Sequence, residues 1–267
     1  MLGRVGRALV LSEALERLRD RWVIVVSSLF ALLALAVSLY GRRVAADDTG
    51  QLTGASLVTL TSLLVPLVAM ILGHDAVVGE RERNTLGLLL SLPVNRLEVA
   101  LAKFLGRLLA LVVAVGGGFA LAVVAASSGQ RATLALLIGP AVLLGSAFLS
   151  VGVLVSSITR RQITAASTVV ALWFVLAIFY DIGLLGLMVG TDGALSQQTI
   201  GYLVIVNPVG LFRLQMLDAL GAAQSMRDLG LPVFGAASSA AIALWALWVI
   251  LPIGGAALLL KQRGDRG

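Results

Sequence analysis

Few residues in this chain can do chemistry, and they lie close together. Only 13% of its 267 residues are charged. The densest polar run is Glu80, Arg81, Glu82 and Arg83, closed by Asn84 and Thr85. It leads into Leu86, Leu88, Leu89, Leu90 and Leu92 and stops at Pro93. Carboxylates in a first turn suit the positive end of a helix dipole. The pattern therefore predicts a short helix over about 80–92, charged at its start and apolar later. Asn95 with Glu98 reads as a capping box opening the next helix. A short amphipathic helix in a loop is placed to dock on a soluble protein. A solvated connector is the plainer reading of the same residues.

The remaining reactive side chains are sparse. There is no cysteine and one histidine, His74, which excludes disulfides, thiolate metal sites and cysteine nucleophiles. His74 beside Asp75 falls short of the three or four protein ligands zinc takes, and reads as an interfacial residue hydrogen-bonded near the loop. Thioethers suit Cu(I), but Met70, Met188, Met216 and Met226 are scattered, and methionine also fills gaps in cores. No metal site is expected. A phosphate-binding loop ends in Gly-Lys followed by Ser or Thr; here Lys103 precedes Phe104 and Lys261 precedes Gln262. The chain thus reads as a non-enzyme with no catalytic residues.

The elements that must position these residues are greasy. Hydrophobic residues make up 59% of the chain and mean hydropathy is +1.00, against about 45–50% apolar in soluble domains. Runs free of Asp, Glu, Lys and Arg cover 22–41, 49–74, 108–130, 132–159, 162–180 and 229–260. A spanning helix needs about 20 such residues, so the expected fold is an all-α integral membrane protein with six transmembrane helices over 22–260. A further run, 193–212, holds Gln197, Gln198, Asn207 and Pro208. Its apolar part is too short to span, and it reads as a helix or turn on the outer surface, or partly re-entrant. Pro232 is expected at the entrance of the last run, the span itself starting near Ala236, and Pro252 suggests a local kink.

Charge sets the orientation. Fifteen of the 20 Lys and Arg residues fall on the side of the two termini, which places both termini in the cytoplasm. The net charge of +6 is then explained by an anionic leaflet without nucleic acid. Residues 1–21 read as an amphipathic elbow helix lying in the interface, with no signal peptide. Leu11, Leu15, Leu18 and Trp22 share its apolar face, and Glu13 and Arg17 form an i,i+4 pair on its polar side. Residues 261–267 form a cytoplasmic tail. Asp181 follows 19 uncharged residues, a rise of about 28 Å, and so lies near the outer interface beside Tyr180. Gly116 to Gly118, and Gly186 with Gly190, allow close helix packing within the subunit or across a dimer. The outer loop, about 189–235, contains a short amphipathic stretch with Phe212, Met216 and Leu220 on one face. It reads as a platform for a periplasmic protein or as a lid over the outer helix ends.

Residues 79–103 resemble the signature of ABC-2 type transporter permeases. Glu80, Arg81, Glu82, Thr85, Leu86, Pro93, Arg96 and Lys103 match in order; Asn84 stands where glycine is usual and Gly87 where an acidic residue is common. The resemblance implies a homodimeric, multi-pass permease subunit of a bacterial inner-membrane ABC transporter. ATP and Mg would be bound by a separate cytoplasmic ABC ATPase, with no cofactor on this chain. The helix at 80–92 would insert into a groove on that ATPase, with Glu80, Arg81, Glu82, Arg83 and Thr85 at the polar contacts and Leu86, Leu89 and Leu90 filling the groove. Residues 65–83, and the run Asn207 to Arg213, further resemble the branch of the family that serves maturation of the copper enzyme nitrous oxide reductase in denitrification. That implies a periplasmic copper-binding partner meeting the outer loop through Asn207, Pro208, Phe212, Arg213 and Met216, with the chain moving force and not ions. Export of a lipid, glycan or hydrophobic drug is the alternative. A scaffold or secondary carrier would call for buried charges or broken helices at mid-membrane, and would leave the run at Glu80 unexplained.

Overall fold

A long apolar run in lipid can satisfy its backbone only as a helix or a closed barrel, and here every regular element among the described residues is helical. The computed structural model describes residues 3–19, 21–44, 49–91, 93–125, 128–192, 194–222 and 238–264. In chain order the helices are α1 (Arg4–Leu18), α2 (Arg21–Val44), α3 (Thr49–Gly73), α4 (Val78–Glu82), α5 (Leu86–Ser91) and α6 (Arg96–Leu111). A π turn, Val112–Gly116, joins α6 to α7 (Gly117–Ala125). Then come α8 (Ser128–Ile158) and α9 (Gln162–Phe174), which runs through a second π turn, Val175–Phe179, into α10 (Tyr180–Gly190). α11 (Gln197–Val206), α12 (Pro208–Leu217) and α13 (Ser239–Gly264) complete the chain.

Among the described residues, five helices are long and apolar enough to cross a membrane, and six if α11 and α12 count as one broken span. α2 holds a shorter apolar stretch, Ile24–Leu33, within its 24 residues. The expected spans correspond to α2, α3, α6 with α7, α8, α9 with α10, and α13. The third and fifth extend well beyond the uncharged runs. The third begins at Arg96, because Lys103 and Arg107 have partners inside the fold. The fifth continues past Asp181 to Gly190. Pro66, Pro140 and Pro252 all lie inside helices. The outer-loop residues 223–237, with Met226, Pro232 and the expected start near Ala236, lie outside the described residues, as does Leu92.

α3 and α8 form the centre of the bundle, and α13 packs on α8. Gly73 and Gly152 let the first two touch backbone to backbone: a Cβ on Gly152 would sit 2.9 Å from the Met70 carbonyl. Gly118, from the expected glycine cluster, faces α2 beside Phe30. By contrast, Gly186 and Gly190 face open space. The run at 193–212 is a bent pair, α11 turning into α12 through 114°. Phe212 and Met216 point into the bundle.

α1 lies along α6, and Gly106 of α6 leaves the gap that the Glu13 side chain fills. The face turned inward is the polar one. Glu13 is 6% exposed, while Leu11 and Leu15 are 61% and 54% exposed. Periodicity separates the two faces of such a helix, but it does not say which one meets protein. Here α6 presents cations, so the carboxylate goes in and the leucines are left for lipid.

Candidate coupling site

The loop after α3 is not the single helix expected over 80–92. It is two short helices, α4 and α5, broken at Asn84, whose φ of +58° is in the left-handed region. Neither helix is long enough to be stable alone, so each depends on what it touches. α4 is held at its start by Ser156 of α8, whose hydroxyl accepts the backbone N–H groups of Val77 at 2.9 Å and Val78 at 3.0 Å.

The charged side chains of α4 are engaged within the chain. Glu80 accepts from Lys103 at 2.6 Å and from the Thr85 hydroxyl, and the Thr85 N–H closes on the Glu80 carbonyl at 2.9 Å. Arg81 donates to the carbonyls of Thr159 and Ser157 at the end of α8. Glu82 accepts the N–H of Gln162, the first residue of α9, at 2.7 Å. Arg83 projects outward, its side chain 66% exposed and its guanidinium 3.8 Å from Glu16. In α5, Leu86 and Leu89 pack partly on the core, whereas Leu88 is 72% exposed. The Leu90 side chain is outside the described set.

Behind α4 lies a cluster that sequence spacing did not single out as a unit. Lys103 bridges Glu80 and Glu13, 2.7 Å from the latter. Arg107, 1% exposed, pairs with Glu13 and with Asp75 at 3.2 Å, and donates to the Leu72 carbonyl at 3.0 Å. Arg17 reaches Asp75 at 2.6 Å. Burial opposes the Arg17 charge, but Asp75, then Glu13 and Glu16, outweigh it and raise its pKa above the ordinary value. Three carboxylates thus meet three cations across α1, the α3–α4 turn, α4 and α6. An unpaired buried charge is strongly penalised; the balance is what lets two cations sit inside an otherwise apolar helix. The available signal was Lys103 and Arg107 at i,i+4 in α6, one turn apart and needing partners. Asn95 and Glu98 cap α6, and Glu98 also receives the Gly3 N–H at 3.3 Å. His74, in the turn just after α3, bonds to the Ile71 carbonyl of that helix.

At the opposite end, the candidate outer residues are mostly buried. The Asn207 amide donates to the Leu176 carbonyl at 2.6 Å, and its oxygen caps α12 by accepting from Val209 at 2.9 Å. Pro208, Phe212 and Met216 are enclosed. Arg213 is half-buried and joins Asp181 of α10 to Ser62 of α3, at 3.0 Å from the Ser62 hydroxyl. Tyr180 donates to the Leu203 carbonyl at 2.7 Å.

The ABC-2 family transporter protein family matches residues 7–264. The chain belongs to the ABC-2 transporter family. It is 37% identical over 250 residues to the probable ABC transporter permease protein NosY of Pseudomonas aeruginosa, covering 88% of this chain and 90% of that protein. It is 34% identical over 241 residues to the protein of the same name from Stutzerimonas stutzeri, covering 83% and 86% respectively. The chain is therefore a multi-pass ABC-2 permease with NosY-like relatives.

For an ABC-2 permease, the geometry separates two jobs within the polar segment. Glu80, Arg81 and Glu82 hold the segment in place, and Leu88 with Arg83 forms its exposed tip. What the arrangement can do is receive a contact and pass on a displacement.

Proposed function

We propose that this chain is the membrane-spanning permease subunit of a NosY-type ABC complex. Two copies assemble in the bacterial inner membrane with both termini in the cytoplasm. A separate cytoplasmic ATPase binds ATP and Mg and hydrolyses the nucleotide. The α4–α5 segment receives its movement, and the helices carry it to the periplasmic face, where a copper-binding partner is served during assembly of nitrous oxide reductase. The copper role rests on the NosY-like relatives. The coupling role rests chiefly on one observation: α5 carries a large apolar side chain, Leu88, 72% exposed, at the end of the bundle where the basic residues concentrate. Burying a leucine contributes about 1.5–3 kcal/mol, so a groove on a soluble partner is a favourable place for it.

The test is affinity capture of the tagged chain from native membranes in mild detergent, with partners identified by mass spectrometry and ATP hydrolysis assayed. The expected result is a soluble ABC ATPase together with a periplasmic copper-binding protein. Leu88→Asp should then lower capture of the ATPase at least about tenfold. An ATPase without a periplasmic partner would favour an exporter of a lipid, glycan or hydrophobic drug. No ATPase, under conditions that preserve ABC complexes, would overturn the proposal.

A further inference from the structure

Helix ends carry unsatisfied backbone groups, four N–H at the start and four C=O at the finish. The junction of α8 and α9 has both kinds within a few residues. α8 finishes at Ile158 and α9 starts at Gln162. Arg161, in the N-cap position of α9, supplies no side-chain hydrogen bond. The caps come from another helix. Glu82 of α4 takes the first N–H of α9 at 2.7 Å. Arg81 covers carbonyls at the end of α8. Both choices suit the local dipoles, an anion at a helix start and a cation at a helix finish. The exchange is reciprocal, since Ser156 of α8 takes the N–H groups of Val77 and Val78 at the start of α4.

The third charged residue grips the other side. Glu80 holds Lys103 of α6 at 2.6 Å, and Lys103 holds Glu13 of α1 at 2.7 Å. Lys103 is 6% exposed and Glu13 is 6% exposed, so water competes little for the bond between them. A helix of five residues therefore has fixed attachments to α1 and α6 on one side and to α8 and α9 on the other.

We propose that Glu80, Arg81 and Glu82 are positioning residues that fasten α4 to these neighbours, so that a push on α5 moves α1, α6 and the α8–α9 junction as one body. The inference rests on the proposed coupling of α5 to an ATPase. It assigns the carboxylate of Glu82 the work of a hydrogen-bond acceptor for Gln162, and not that of a charge facing the partner.

That distinction can be tested, because glutamine keeps an acceptor oxygen and loses the charge, while alanine loses both. The natural chain has no cysteine, so spin labels can be placed at Glu16→Cys on α1 and Arg160→Cys at the α8–α9 junction. The full chain, in liposomes with the ATPase it captures, is examined nucleotide-free and with ATP under non-hydrolysing conditions. The expected label-to-label distance is the same in both states for the parent and for Glu82→Gln. For Glu82→Ala the distribution should broaden and respond to nucleotide. Capture of the ATPase should remain, and its stimulation should fall about fivefold, the scale of a lost helix-cap acceptor. Arg81→Ala should behave like Glu82→Ala. A distance that changes with nucleotide in the parent would overturn the proposal. Loss of ATPase capture by Glu82→Gln and Glu82→Ala alike would also overturn it, since charge would then be meeting the partner. If the parent captures no ATPase, the reading of function fails first and this inference falls with it.

Discussion

Asn84 sits at φ +58° between α4 and α5, where most L-residues lose about 1–2 kcal/mol but asparagine is tolerated. That explains why asparagine can stand at a position where resembling permeases usually carry glycine. Asn84→Gly should keep both the thermal midpoint and ATPase capture, whereas Asn84→Val should lower the midpoint, a cost on the order of 1–2 kcal/mol; differential scanning in detergent measures it. Lys103 makes a sharper case. Lys103→Met leaves Glu80 and Glu13 short of a partner and should destabilise the chain by about 3 kcal/mol, read from denaturant titration. Gln at Glu13 in the same chain should recover part of that loss by removing the stranded charge. The polar run itself was legible from residues 80–85 alone. The direction its side chains take was not, because the partners of Arg81 and Glu82 are backbone groups at 157–162, which leave no trace in side-chain pattern.

At the level of elements, the bent pair α11–α12 shows how polar groups are carried into an apolar bundle. Asn207 and Arg213 enter with their hydrogen bonds already assigned, to Leu176 and Val209 in one case and to Asp181 and Ser62 in the other. Any periplasmic contact through this region must therefore run over its surface, since Phe212 is fully buried. Arg213→Met should loosen the pair. The measurement is labelling of Phe212→Cys by a membrane-impermeant maleimide: slow in the parent, and on the order of tenfold faster with Arg213→Met, as expected when a part-buried ion pair of about 1–2 kcal/mol is lost. The apolar part of 193–212 reads as too short to span, and the structure folds the run into the bent pair α11–α12, which together is long and apolar enough for one broken span. The inward turn of Phe212 and Met216 was not evident, for an amphipathic stretch is equally consistent with an apolar face toward lipid. α1 is the mirror case, with Glu13 inward and Leu11 and Leu15 outward.

For the whole molecule, the distribution of basic residues predicts the orientation. A cysteine at Gly3 and another at Gly264 should both be labelled only from the cytoplasmic side in oriented vesicles. The all-helical, multi-span plan was legible because lipid admits few alternatives to a helix. The boundaries of the third and fifth spans were less so, since a count of uncharged residues stops at any charge, paired or not. The fifth span, α9 with α10, also has a distinctive mechanical situation. Only 11% of the most apolar 18-residue window within the 29 residues Gln162–Gly190 is buried inside the subunit. It is tied down near Gln162 by Glu82, and near Tyr180 and Asp181 by Leu203 and Arg213. A helix of that length is about 43 Å long, well beyond the roughly 30 Å hydrocarbon core, and little of its own subunit covers it. Such a rod takes up the mismatch by leaning. Bilayer thickness thus becomes a control on the angle between the two ends of this permease, and turnover of the complex should change with lipid chain length even when no residue is altered.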